Sequence, residues 1–170
     1  MRKGFLHSFI VLTGVIVFSS CQKEVDPSII ATPNSPSTTG NLKAKIDGTQ
    51  WVANSAEGAS RMLGLISIGG RSTDRKYLTI TLTDSGVHNY TLDNNSMNAA
   101  AYVDSSLSNA FSFTTNQGIN AGDAGGIVNI TSIDASNKKI SGTFSFRVFR
   151  QMVGAQRTLT EGSFTNLSYT

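Results

Sequence analysis

Short runs of alternating apolar and polar residues fill the chain from Leu42 onward. In residues 78–83 (LTITLT) and 144–148 (FSFRV), apolar side chains occupy every second position. A period of two places them on one face of a β-strand, whereas an amphipathic helix repeats every 3.6 residues. Turn residues separate the runs, as at Asp47-Gly48. The pattern predicts an all-β fold, an antiparallel β-sandwich or barrel of roughly eight to ten strands, with no long helix in the mature chain.

Three stretches depart from clean alternation. Residues 62–68 form a nearly continuous apolar run, which predicts one strand ending at Gly69-Gly70. Residues 54–61 (NSAEGASR) and 93–101 (DNNSMNAAA) lack alternation and are interpreted as single helical turns.

The last two strands are predicted to be neighbours. Residues 142–145 (GTFS) and 162–165 (GSFT) repeat the same order of glycine, hydroxyl and aromatic residues. Paired strands would explain the repeat, with the phenylalanines filling the core. Phe164 is out of step with Leu167, so we expect a β-bulge at Thr165-Asn166.

The first twenty residues have the features of a secretory signal peptide. Arg2 and Lys3 give a positive start, and residues 5–18 form an apolar run that is shorter than the ~20 residues of a spanning helix. Two serines then precede Cys21, the only cysteine. We predict a signal peptide at residues 1–20 that is cleaved before Cys21.

The residues around Cys21 resemble a bacterial lipobox. The motif is Phe18 to Cys21 (FSSC), with Phe where Leu or Val is usual. The resemblance implies acyl chains on Cys21 that anchor the protein in a membrane. Residues 22–26 (QKEVD) partly resemble the surface-export signal of Bacteroidota lipoproteins, and a solvated linker explains them equally well. An ordinary signal peptide with a chance cysteine and an uncleaved anchor remain the alternatives.

Composition divides the rest of the chain. All three prolines lie between residues 27 and 40, among Ser, Thr and Asn. We therefore predict a lipidated N-terminus and flexible tether at residues 21–40, and a single β domain at residues 41–170.

Charge argues against a nucleic-acid partner. The formal charge of the whole chain is +3, from 14 basic and 11 acidic residues. Removal of Arg2 and Lys3 with the leader lowers the basic count to 12 and the net charge to +1. This is too little to attract a phosphate backbone.

Four motifs together resemble an uncharacterised family of Bacteroidota lipoproteins, over most of residues 40–170. They are the segments 43–51 (KAKIDGTQW), 90–92 (YTL) and 126–131 (GIVNIT), and the paired Gly-Thr-Phe and Gly-Ser-Phe elements. The resemblance implies a β domain on an outer-membrane lipoprotein, at the periplasmic face or the cell surface. It implies no catalytic or binding residue.

Catalytic and metal-binding patterns are weak. His88 is the only histidine after the leader, and Cys21 is the predicted lipidation site, so a four-ligand zinc site and a Ser-His-Asp triad lack their residues. Residues 93–96 (DNNS) offer oxygen ligands for calcium, but turn chemistry explains them too. Glu57 and Glu161 are the only glutamates of the domain that a hydrolase could pair. We predict no catalytic residue, metal or cofactor.

Aromatic side chains are the strongest binding candidates, because their flat faces stack on sugar rings. Most aromatic side chains on alternating strands belong to the core, and this is the alternative for each candidate. Tyr102 and Phe149 are the best candidates for exposure, with Arg147 beside Phe149 on the face opposite Phe144. Trp51, the only tryptophan, completes the predicted ligand-binding set.

Three functions remain open from the sequence. The first is a non-enzymatic binding or accessory module of the cell envelope, with a glycan or an outer-membrane protein as partner. The second is a calycin-like barrel that holds a lipid-like molecule in a cavity lined by Leu63, Leu65 and Phe144. The third is a hydrolase with a cleft near Glu57 or Glu161.

Overall fold

The computed structural model describes residues 40–83, 86–106, 111–118, 120 and 122–170. The predicted signal peptide, Cys21 and the predicted tether before Gly40 lie outside these residues. Within the described part of the chain, no helix has the length and apolar character needed to cross a bilayer.

The described residues form eleven β-strands and one 3-10 turn at Gln151–Val153. The all-β prediction is confirmed, with a strand count just above the expected range. The strands are β1 (Leu42–Ile46), β2 (Thr49–Val52), β3 (Ser55–Met62), β4 (Leu65–Arg71), β5 (Lys76–Thr83), β6 (Asn89–Leu92), β7 (Ala99–Asp104), β8 (Phe111–Thr114), β9 (Gly125–Asp134), β10 (Lys139–Arg150) and β11 (Ala155–Ser168).

These strands make a single antiparallel sheet that curls into a half-barrel. Its order is β2-β1-β11-β10-β8-β7-β5-β4-β3, and β9 pairs with β10 and β6 outside this path. The residues after β11 reach β3, where Tyr169 forms a parallel bridge with Ala59. The Thr170 N–H donates to the Ala59 carbonyl at 3.2 Å, and the Arg61 N–H donates to the Thr170 carbonyl at 2.9 Å. The chain thus brings β11 and β3 together.

The inner face of the curled sheet holds the hydrophobic core. Alternation places the apolar side chains of each strand on this face, as in β5, where Leu78, Ile80 and Leu82 are buried. Residues from nearly every strand join one buried cluster that includes Leu42, Trp51, Ile66, Ile68, Tyr102, Phe113, Val128, Ile130, Phe144 and Phe164.

The β10–β11 pair interlocks through glycine and phenylalanine. Gly142 lies opposite Phe164, and Phe144 lies opposite Gly162. A Cβ on Gly142 would lie 2.4 Å from the Phe164 ring, and a Cβ on Gly162 would meet the Phe144 ring just as closely. Each glycine therefore makes room for the phenylalanine of the other strand. The predicted pairing of the two repeats is confirmed, and its physical basis is this exchange.

Two hairpins have nearly identical two-residue turns. Asp47-Gly48, predicted as a turn, joins β1 and β2 with φ values of 48° and 82°. Leu63-Gly64 joins β3 and β4 with φ values of 53° and 75°. The prediction of one strand over residues 62–68 is wrong, because this turn divides the apolar run between β3 and β4.

The two predicted helical turns are also wrong. Residues 55–62 form β3, whose burial pattern does not alternate because small residues fill it. Residues 93–98 form an irregular loop before β7, in which Asp93 Oδ1 accepts the N–H groups of Asn95 and Ser96 at 2.8 and 2.7 Å. Such bonds are typical of an Asx turn.

The predicted bulge at Thr165-Asn166 is confirmed. The β10–β11 register shifts there, Asn166 has a φ of 50°, and its N–H donates to the Ser141 hydroxyl at 2.9 Å. A second shift lies near Glu161, which has a φ of 51°. The two bulges let β11 bend with the curled sheet.

Candidate functional site

Only one of the four predicted ligand-binding residues reaches solvent. Arg147 is exposed on β10, whereas Tyr102, Phe149 and Trp51 are 2%, 8% and 3% exposed. The prediction of an exposed aromatic platform is therefore wrong. Alternation identifies which side chains share a face, but it does not say which face packs.

Tyr102 lies on the inner face of β7. Its ring packs beside Phe113, with 6.0 Å between the ring centroids. Burial disfavours the phenolate and raises the pKa of Tyr102, and the nearby Asp104 and Asp74 carboxylates raise it further. Tyr102 therefore acts as a neutral core residue.

Phe149 is buried although it lies outside the main core cluster. It pairs with Gln156 of β11 and Thr114 of β8. The Gln156 side chain donates to the Asp123 carbonyl, so Asp123 lies beside this end of the β10–β11 pair. Side chains at such a strand end are shielded from solvent whether they point to the inner or to the outer face of the sheet.

Trp51 lies in the core cluster on β2. Its Nε1 is buried and has no hydrogen-bond partner among the described residues. An indole N–H is a donor that usually finds an acceptor when it is buried. Among the buried side-chain nitrogen and oxygen atoms of the described residues, Trp51 Nε1 is the one without a hydrogen-bond partner.

The outer face of β9, β10 and β11 carries two adjoining depressions, which we call the outer groove. They have volumes of about 450 and 480 Å³ and share Ser145. The backbone of Gly162 lines the first depression and that of Gly126 lines the second. Hydroxyl and amide side chains line much of the rest, including Asn129, Thr143, Ser145, Ser163, Thr158 and Thr91.

Ile127 adds an apolar surface to the groove. It is 53% exposed and stands on the same wall as Asn129. Its inward neighbour Val128 is buried, so Ile127 occupies an outward position that strand alternation normally gives to a polar residue. The groove therefore offers hydrogen-bonding groups and one exposed aliphatic side chain.

Arg147 supplies a positive charge at the outer groove. Its guanidinium lies beside Gly122, where a Cβ would be 3.6 Å from Nη2. Among the described residues it makes no hydrogen bond or ion pair. At the other depression, Glu161 is neutralised by Lys45 through a 2.8 Å ion pair. Within the described part of the chain, the charge of the groove is thus set by the Arg147 guanidinium, which has five N–H donors.

The glutamates of the predicted hydrolase cleft have other partners. Glu57 Oε2 accepts the N–H groups of Asn41 and Leu42 at 3.0 and 3.3 Å, so it holds the start of β1. Glu161 pairs with Lys45 on the outer face. In the part of the chain that the structure describes, no three His, Cys, Asp or Glu side chains come together as metal ligands.

Among the residues of the outer groove, only Arg147 was predicted from the sequence as a ligand-binding residue. Asn129, Thr143 and Ser163 follow the polar phase of their strands, which is the expected pattern of any solvated face. Ile127 was the available signal, because it is an apolar residue in that polar phase.

The three residues predicted to line the cavity of a barrel do not lie together in the structure. Leu63 is 93% exposed and Leu65 is 41% exposed at the β3–β4 turn, while Phe144 stacks on Phe146 with 5.4 Å between centroids. Leu63 and Leu65 therefore do not line an interior cavity with Phe144.

The fold and the groove together define a small all-β protein whose curled sheet has a packed inner face and a polar outer groove. The chain belongs to DUF6252, a domain of unknown function, whose family model matches residues 38–168. No curated protein and no solved structure matches the chain.

Proposed function

We propose that this protein is a non-enzymatic, membrane-anchored lipoprotein of the bacterial cell envelope whose β domain binds a glycan in the outer groove. The observation that carries the proposal is the guanidinium of Arg147, which has no partner among the described residues and lines a groove of hydroxyl and amide groups. The envelope of a Bacteroidota-type bacterium is the proposed location, on the resemblance stated above.

The groove has the groups that sugar recognition needs. Side chains such as Asn129 and Thr143 donate and accept hydrogen bonds, as sugar hydroxyls do. The guanidinium of Arg147 presents paired donors to two neighbouring oxygens, of either a diol or a carboxylate. The exposed part of Ile127 can cover the apolar C–H face of a sugar ring.

The glycan proposal is tested by thermal shift of the mature chain with envelope polysaccharides and their fragments. A ligand at 100 times its Kd stabilises the fold by about 2.7 kcal/mol. Arg147→Gln should abolish most of the shift, because it removes the charge and the paired donors.

Arg75→Gln is the matched control. Arg75 is an exposed arginine on the β4–β5 turn, away from the groove, and its replacement also removes one positive charge. An equal loss of shift in both variants would show non-specific charge attraction and would overturn the groove assignment.

The anchor is tested separately. Cys21→Ala should abolish labelling by a fatty-acid analogue and release the protein from the membrane fraction. Continued labelling of the variant would refute lipidation at Cys21 and leave the glycan proposal standing.

A calycin-like role is the second candidate, and Trp51 Nε1 is the observation in its favour. A buried donor without a protein partner among the described residues could bind an oxygen of a lipid-like molecule. Native mass spectrometry of the purified protein tests this: a bound small molecule that is lost in Trp51→Phe would favour the interior site.

A further inference from the structure

Leu63 adopts a conformation that folding does not explain. It lies at the β3–β4 turn with a φ of 53° and is 93% exposed. The left-handed region is unfavourable for residues with a Cβ, and Asn, Asp or Gly usually occupies this position of a two-residue hairpin turn. Because the Leu63 side chain is almost fully exposed, no packing contact offsets that strain.

Other exposed apolar side chains surround Leu63. Met62 and Leu65 flank it and pair with each other across the hairpin. Leu65 also pairs with Thr83, whose N–H and hydroxyl donate to Asn98 Oδ1 at 2.8 and 3.0 Å. These bonds bring the adjacent Met97, which is 83% exposed, to the same end of the sheet. We call Met62, Leu63, Leu65 and Met97 the apolar tip.

The shape of the apolar tip favours a lipid surface over a protein partner. Its four side chains carry no charge and project from a tight turn and a loop. A protein partner would need a preformed pocket of matching shape, whereas a bilayer interface deforms around small apolar projections and accepts them ~5–10 Å deep. Exposed apolar clusters of this kind mark membrane or partner contacts.

The position of the tether allows this contact. Gly40 packs against Val52 and Ala53. Asn54, which follows Ala53, donates its N–H to the Arg71 carbonyl at 2.8 Å. The described chain thus starts near the Arg71 end of β4, and the apolar tip lies at the Leu65 end, ~20 Å away along the strand. The 20 residues from Cys21 to Gly40 are joined by 19 Cα–Cα steps and reach at most ~65 Å, which exceeds that distance.

We propose that the apolar tip inserts into the interface of the bilayer that carries the acylated Cys21, so that the domain sits on the membrane in a fixed orientation. This inference rests on the proposed lipid anchor. The tip adds a second contact that limits how the tethered domain turns.

The test places a fluorophore at the tip of the mature, lipidated chain. Acylation blocks the thiol of Cys21, so Leu63→Cys offers a single site for a nitrobenzoxadiazole label. The protein is reconstituted in vesicles of phosphatidylethanolamine and phosphatidylglycerol. We expect the emission to shift to shorter wavelength and to be quenched by lipids with nitroxides on their acyl chains. Met97→Cys should respond in the same way.

Thr73→Cys is the matched control, since Thr73 is exposed on the turn at the other end of β4. Its label should keep the emission that it has in solution. Equal emission from labels at residues 63 and 73, on protein that floats with the vesicles, would overturn tip insertion while the anchor stands. A shift at residue 63 only in membranes that contain envelope proteins would also overturn it and would assign the tip to a protein partner. Protein that fails to float would refute the anchor itself.

Discussion

The turns at Asp47-Gly48 and Leu63-Gly64 have the same backbone and opposite side-chain environments. Asp47 Oδ1 accepts the Thr158 N–H at 2.8 Å, and its other oxygen lies 3.4 Å from Arg157 Nε. Leu63 projects into solvent. The first turn is explained by the fold that it stabilises. The second turn is not explained by the fold. The difference shows that Asp47 serves folding, whereas Leu63 needs another explanation.

The largest effect is expected at the first turn. Asp47→Ala removes the bond to the Thr158 N–H, an exposed ion pair and a residue that tolerates a positive φ. The summed loss is about 2 kcal/mol, which lowers the Tm by roughly 5–10 °C. Asp47→Asn keeps the acceptor and the turn preference and should lose less. If both variants melt like the natural protein, the side chain does not hold the turn.

A gain is expected at the second turn. Leu63→Asn should stabilise the domain by about 0.5–1 kcal/mol, because Asn tolerates the left-handed region and no packing is lost. Chemical denaturation of the protein in solution measures this. Leu63→Ala, which removes the side chain but not the strain, should give no such gain. A destabilised Leu63→Asn variant would mean that Leu63 contributes to folding after all.

A smaller, pH-dependent effect is expected at the other end of β4. Partial burial acts to raise the pKa of Asp74, but hydrogen bonds from Lys76 and Ser72 outweigh it and hold the pKa below 3.8. Stability from this group is therefore present above pH 3.8 and is lost as the pH falls through the lower, folded value.

Asp74 is half exposed, so solvent screening keeps the effect below about 1 kcal/mol. Asp74→Asn should be less stable than the natural protein at neutral pH, and the gap should narrow below pH 3.8. Denaturation curves at neutral and acidic pH measure the gap. A constant gap would show that the carboxylate charge has no part in holding this turn.

The sequence predicted what local chemistry specifies. Asp47-Gly48 has the residue types that a two-residue hairpin turn prefers. The break in apolar-polar alternation at Phe164 located the bulge. The Leu63-Gly64 turn was missed because leucine is not a turn residue, and β3 was missed because its small residues have little strand preference. Exposure at Tyr102 and Phe149 depends on which face of the sheet packs and on the position of Asp123 beside the end of the β10–β11 pair. Both depend on tertiary contacts, which the apolar-polar pattern of a strand does not specify.

The groove was harder to predict than the core for the same reason. Arg147 stood out as a charge among aromatics, but Asn129 and Thr143 differ from ordinary surface residues only in lying side by side on paired strands. The β9–β10 register, which sets Asn129 opposite Thr143, is what assembles them.

The reciprocal packing of Gly142, Phe164, Phe144 and Gly162 also solves a problem that alternation leaves open. A slip of one residue between β10 and β11 would turn core side chains outward, but a slip of two keeps every side chain on its proper face. One such slip would set Gly142 against Gly162 and leave a void, and the opposite slip would set Phe144 against Phe164 and overfill the core. Four residues thus choose one alignment among several that an apolar-polar pattern cannot tell apart.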